Sequence, residues 1–160
     1  MIPMRGYAIA SPNKELICTH EMSIKATDDD KEPSSSSSKF LELANVSIDQ
    51  IQYLQRRNNK KSIEKEFLGK VHENLLLRAY GFLACSGVMI VLVVDCLGLD
   101  SNESTLMGEV ENVLKVINDS YAKCNVNPFF GGGGMSEGDD DEEKKMWDRF
   151  HERVRTRLQL

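Results

Sequence analysis

From Val88 to Val94 the chain runs Val-Met-Ile-Val-Leu-Val-Val without one polar residue, and Asp95 closes the run. A strand that shows no polar alternation must be covered on both of its faces. Each such side chain contributes about 1.5–3 kcal/mol when buried, an upper bound because a real unfolded chain already hides part of the area. Upstream, Leu75 to Cys85 is a second apolar and aromatic run, and Ser86-Gly87 separates the two as a hairpin turn does. The sequence therefore calls for a hairpin at the core of a sheet with helices on both faces.

The rest of the chain supplies those layers. Tyr7 to Ser11 is a short apolar strand, and Pro12-Asn13 makes a turn with proline at its second position. Glu15 to Met22 alternates, with Leu16, Cys18, His20 and Met22 on one face. Ile24 to Ser38 changes character: Asp28-Asp29-Asp30-Lys31-Glu32-Pro33 precedes a run of serines. Such a stretch buries too little apolar surface to offset its ordering entropy, so residues 24–38 are expected to be a disordered acidic and serine-rich insertion. From Lys39 the pattern is helical, with Phe40, Leu43 or Ala44, Ser47 or Ile48, Ile51 and Leu54 at three- and four-residue steps.

Arg56 to Lys61 reads as a basic loop, and Phe67 to Val71 as a third strand before the central hairpin. Past Asp95, Ser104 is placed to cap a helix with the apolar face Leu106, Val110, Val113, Ile117, Tyr121 and Cys124. Gly108 within it costs about 1 kcal/mol relative to alanine. Asn127-Pro128-Phe129-Phe130 follows, and residues 131–138 read as a glycine-rich linker. A last helix has Asp139 to Glu143 first and Arg149, Arg153, Arg155 and Arg157 later, the order the helix dipole favours. Its apolar stripe is Met146, Phe150, Val154 and Leu158, with Trp147 beside it. The order is strand, strand, helix, strand, strand, strand, helix, helix. Hairpins favour antiparallel pairing, so the class is α+β, a single domain over residues 1–160.

Charge and cysteine usage narrow the function. With 20 basic and 25 acidic residues the net charge is −5, which gives no electrostatic reason to expect nucleic acid. Cys18, Cys85, Cys96 and Cys124 form no C-x-x-C pair and are expected as reduced, mostly buried thiols. No secretory leader is expected from Met1-Ile2-Pro3-Met4-Arg5-Gly6, so the Asn-x-Ser sequons at Asn45, Asn102 and Asn118 are chance matches. No apolar run approaches the roughly 20 residues of a membrane-spanning helix.

Nor does a catalytic constellation emerge. His20, His72 and His151 are far apart in sequence and none sits near a cysteine at ligand spacing. Gly131 to Gly134 is followed by no Gly-Lys-Ser/Thr, and Glu137 to Glu143 would repel phosphate, which favours a linker. Asp139 to Glu143 reads as a solvated helix start rather than a site for a basic partner.

Several motifs occur in order and with compatible spacing. They are Lys39-Phe40 with Ser47-Ile48-Asp49, Phe67-Leu68-Gly69, and Tyr80-Gly81-Phe82 running into Val88 to Asp95. To these add Ser120-Tyr121 with Asn127-Pro128-Phe129, and Phe150-His151-Glu152-Arg153-Val154. Together they resemble the sedlin family of the trafficking protein particle (TRAPP) complex, closest to its 2-like subunit. The resemblance implies a longin-like (SNARE-like) fold: five antiparallel strands, one helix on one face and two on the other. It further implies a non-catalytic adaptor or scaffold subunit of a vesicle-tethering complex in endoplasmic reticulum-to-Golgi and Golgi traffic. The expected partners are other TRAPP subunits and, indirectly, a Rab GTPase that the assembled complex activates. Location is then cytoplasmic, peripheral at endoplasmic reticulum and Golgi membranes through the complex alone, with no cofactor or metal.

The resemblance also suggests residues. Asp49 matches an acidic residue that resembling proteins use to hold neighbouring subunits, and Ser47 lies beside it. An ordinary solvated carboxylate is the competing reading of Asp49. Phe129 and Phe130 are either packed under the linker or part of an exposed aromatic contact. Three stretches depart from the family: residues 24–38, Gly131 to Glu143, and His72-Glu73-Asn74-Leu75, where family members often carry a Tyr-Pro-Thr-Glu-like segment. The rival readings are a SNARE-like regulator or adaptor small chain outside a tethering complex, and a small enzyme. The missing nucleophile–base or metal constellation counts against the enzyme.

Overall fold

Both runs of the central hairpin are strands. The computed structural model describes residues 2–22, 34–57, 66–97, 99, 102–126 and 140–160. The elements are β1 (Met4–Ala10), β2 (Leu16–Glu21), α1 (Ser34–Arg57), β3 (Phe67–Glu73), β4 (Leu77–Leu83), β5 (Met89–Asp95), α2 (Glu103–Val126) and α3 (Asp140–Leu158). The strands form one antiparallel sheet in the order β2-β1-β5-β4-β3, so the apolar β5 lies at its centre and β2 and β3 are its edges. Six of the seven β5 residues, Met89 to Val94, are buried, as a strand without polar alternation requires. Five antiparallel strands with three helices make this an α+β fold, consistent with a longin-like one.

The strands alternate in side-chain size as well as direction. In β1, Gly6, Ala8 and Ala10 alternate with Tyr7 and Ile9; in β4, Ala79 and Gly81 alternate with Tyr80 and Phe82. The small residues line the face covered by α1, where Phe40, Leu43, Ile48 and Ile51 pack with Ala10, Ala79, Met89, Val91 and Val93. A Cβ at Gly6 would come within 2.9 Å of the Phe40 ring, so the helix lies close on the sheet there. The bulky residues Tyr7, Ile9, Tyr80, Phe82, Ile90 and Leu92 point to the other face and are equally buried.

The chain divides into two compact units, Met1–Leu114 and Lys115–Leu160, with the boundary inside α2. The first contains the sheet, α1 and the first half of α2. In the second, the end of α2 packs on α3: Tyr121 meets Phe150 edge-on at 6.5 Å, and Trp147 meets Phe150 at 5.6 Å. Arg157 Nη1 donates to the buried Ser120 hydroxyl at 3.0 Å. The expected α2 face holds, since Leu106, Val110, Val113, Ile117, Tyr121 and Cys124 are all buried, whereas on α3 Phe150 and Val154 are buried and Met146 and Leu158 only half-buried.

Some expectations need correction. The helix α1 begins at Ser34, not Lys39, so Ser34 to Ser38 belong to it rather than to an insertion. Once a packed stripe nucleates a helix, each added residue gains a hydrogen bond, and serine is a mid-scale helix former that propagates it. Residues 24–33 and the linker 131–138 lie outside the described residues. The helix α2 starts at Glu103, one residue before the expected Ser104 cap, and the Ser104 hydroxyl donates to Asn102 Oδ1 at 2.9 Å. The loop of the central hairpin has three residues, Cys85-Ser86-Gly87, not two. Ala84 N donates to Val88 O and Gly87 N to Ala84 O, each at 2.9 Å, with Gly87 at φ +84°. That is a turn closed by a left-handed glycine, a common hairpin solution. The thiols are less uniformly buried than expected: Cys18 and Cys124 are buried, Cys96 is half-buried and Cys85 is exposed.

Candidate functional site

Asp49 sits on α1 opposite the packed stripe, with its side chain 65% exposed. Its carboxylate is engaged: Lys14 Nζ lies 2.9 Å from Oδ1. Lys14 belongs to the β1–β2 turn, where Lys14 N donates to Ser11 O at 3.0 Å and Ser11 N to Glu15 O at 2.8 Å. Pro12 holds the second position of that turn, as its fixed φ favours. Lys14 itself has φ +68°, in the left-handed region. A second polar link joins the same two elements, because Gln52 Nε2 donates to Pro12 O at 3.5 Å.

Apolar side chains flank this pair. Val46 and Tyr53, seven residues apart and so on one line of α1, are 41% and 57% exposed, with Asp49 between them. Left-handed backbone costs a residue with a Cβ about 1–2 kcal/mol, whereas an exposed ion pair is worth about 0.2–1 kcal/mol. The pair does not offset the strain.

Ser47 does not share that surface. It is fully buried, and its hydroxyl donates to the Leu43 carbonyl at 2.6 Å inside the helix. Phe129 and Phe130 lie outside the described residues. Lys14, Val46 and Tyr53 escaped the sequence reading. The signal for Val46 and Tyr53 was their seven-residue spacing off the buried stripe, and for Lys14 the Pro12-Asn13 turn ahead of it.

A second exposed feature lies at the opposite end of the sheet. Leu75, Leu76 and Leu97 are 97%, 49% and 75% exposed. Hydrogen bonds tie down the backbone at Leu76: Asn74 Oδ1 accepts from Leu76 N and Leu77 N at 2.9 and 2.7 Å, and Cys96 N donates to Leu76 O at 2.8 Å. Beside them Glu73 accepts from Lys70 Nζ at 2.6 Å and from Arg78 Nη2 at 2.7 Å. The Lys70 bond, then the Arg78 bond, holds the Glu73 carboxyl below the usual carboxylate range. Bonds to the Tyr80 hydroxyl and to Glu73 raise the Arg78 guanidinium further.

The remaining chemistry-bearing side chains are dispersed. His20 lies on β2 and His72 on β3, and His20 packs tilted against the Tyr7 ring at 5.4 Å. His151 lies on α3. Among the described residues no group of three His, Cys, Asp or Glu side chains could hold a metal ion. Among them, too, no helix is long and apolar enough to cross a membrane.

The chain matches the family described as Sedlin over residues 6–156, nearly its whole length. It belongs to the sedlin family. No curated protein matches it by sequence. The sedlin family is a non-enzymatic family of trafficking-complex subunits, and membership in it implies a TRAPP subunit role in vesicle transport alongside other TRAPP subunits. The matched span includes both exposed surfaces, Lys14–Asp49 with its apolar flanks and the leucines at the other end.

Proposed function

We propose that this sedlin-family chain is an adaptor subunit of a TRAPP-type tethering complex acting between the endoplasmic reticulum and the Golgi and at the Golgi. It takes the place of the 2-like subunit and supports Rab activation by the assembled complex, without a catalytic step of its own. It is cytoplasmic and reaches endoplasmic reticulum and Golgi membranes through the complex. The observation that carries this reading is the Asp49 carboxylate, displayed on the outer face of α1 between exposed Val46 and Tyr53. An exposed carboxylate changes folding stability little, typically within about 0.5 kcal/mol. At a subunit interface the same group, once desolvated and paired, matters by about 2–5 kcal/mol when its pairing is broken.

Two measurements on Asp49→Arg test it: the melting curve of the isolated subunit and its recovery with TRAPP partners. The expected result is normal melting with lost recovery. Normal melting with full recovery removes Asp49 from the interface, and a large stability loss would make it a structural group.

A further inference from the structure

Two hairpin turns of the sheet share one hydrogen-bond pattern and differ at one decisive residue. At the left-handed position the Ala84–Val88 turn has Gly87, φ +84°, and the Ser11–Glu15 turn has Lys14, φ +68°. Glycine adopts that backbone freely, and a side chain with a Cβ does so only under strain. Lysine is thus a poor choice for the turn alone, and the exposed pair it makes with Asp49 returns less than the strain costs. Strained residues that their surroundings hold in place concentrate at functional sites.

We infer that Lys14 is a positioning residue. Launched from a left-handed turn, its side chain fixes the Asp49 carboxylate and joins the Ser11–Glu15 turn and the outer face of α1 into one docking surface. The inference rests on the Asp49 reading above and adds the residue that acts through it. The partner follows from what is left exposed. Lys14 takes Oδ1, and a carboxylate accepts more than one donor, so Asp49 retains acceptor capacity. Exposed Glu42, two turns earlier on the same line of α1, adds negative charge. Exposed Val46 and Tyr53 offer apolar contact on the flank. The surface fits a protein partner that presents a cationic side chain between apolar groups.

The test uses the full chain and, as probe, TRAPP complex purified from cells lacking the endogenous chain. Four proteins are compared with wild type: Lys14→Gly, Lys14→Arg, Asp49→Ala and the Lys14→Gly/Asp49→Ala double variant. Lys14→Gly is expected to melt no lower than wild type, because glycine suits the turn, yet to bind about fivefold more weakly or worse. Lys14→Arg, which keeps a cation within reach of Asp49, is expected to retain binding. If Lys14 acts through Asp49, the double variant binds no worse than Asp49→Ala alone. A Lys14→Gly protein that binds like wild type while Asp49→Ala does not overturns the positioning role and leaves the Asp49 interface standing. Wild-type binding by Asp49→Ala removes the interface itself, whatever Lys14 does. Additive losses in the double variant overturn the inference too.

Discussion

Gly81 of β4 lies so close beneath Ile51 of α1 that no methyl group fits between them. A Cβ at Gly81 would stand 3.0 Å from both Cγ1 and Cδ1 of Ile51, and 2.8 Å from Val71 Cγ1. Ile51 is fully buried, so it has no free space into which to swing. Gly81→Ala must therefore shift the helix or the β3 side chain. The expected loss is about 1–3 kcal/mol, the usual cost of overpacking a filled core. Urea denaturation of purified Gly81→Ala measures it, and an unchanged midpoint would mean that α1 packs less closely on β4.

Gly108 is the opposite case. It lies inside α2, exposed, and a Cβ there would meet nothing within 4 Å. Alanine fills no occupied space and restricts the unfolded chain, so Gly108→Ala is expected to stabilise by about 1 kcal/mol. A rise in thermal midpoint of several degrees is the readout. A fall would show that Gly108 borders a partner group in the folded chain.

These two glycines mark where sequence reading succeeds and where it stops. The helical context of Gly108 follows from periodicity, a local property, as do the buried stripes of α1 and α2 and the two-sided burial of Met89 to Val94. The role of Gly81 needs the register of three elements, which no single stretch contains. The same holds at the candidate site. Asp49 was visible through family resemblance. Its partner Lys14 was not, because their pairing depends on how a turn between β1 and β2 lies against a helix reached only after a long connection. Ser34 to Ser38 were misread for a different reason: composition argued against burial, and extending a helix that is already nucleated does not require any.

Alkaline pH offers a test of packing at the β1–β2 edge. Cys18 is buried opposite Ile9, and burial pushes its thiol from the ordinary 9.0 up to about 12. Tyr7 nearby is also raised, by burial first and by the Cys18 thiolate second. A folded-state value above the unfolded one means the folded chain holds the proton more tightly. The contribution is therefore complete below about pH 9 and is lost as pH rises from 9.0 toward 12. Thermal melts between pH 7 and 11 are expected to show stability falling above pH 9. Cys18→Ala, though less stable at neutral pH, is expected to fall with a shallower slope. An equal slope would show that Cys18 ionises freely in the folded protein.

Ser47 provides the control that gives Asp49 its meaning. It lies two residues away on the same helix, yet it is fully buried, and its hydroxyl is satisfied by the Leu43 carbonyl at 2.6 Å. That carbonyl stands where the Ser47 backbone N–H bonds in a regular α-helix, so removing the hydroxyl does not orphan it. Alanine fits the space and is the better helix former, and serine bonding back to the preceding turn slightly strains a helix. Ser47→Ala is expected to change stability by no more than about 0.5 kcal/mol. It is also expected to leave recovery with TRAPP partners untouched, in contrast to Asp49→Arg. Ser47→Leu, by adding bulk to a filled site, is expected to lose about 1–3 kcal/mol. Normal melting of Ser47→Ala with lost partner recovery would mean that the inner face of α1 reaches the partner. The interface would then lie on the sheet side of the helix, and the outward surface of Val46, Asp49 and Tyr53 would not be the docking site.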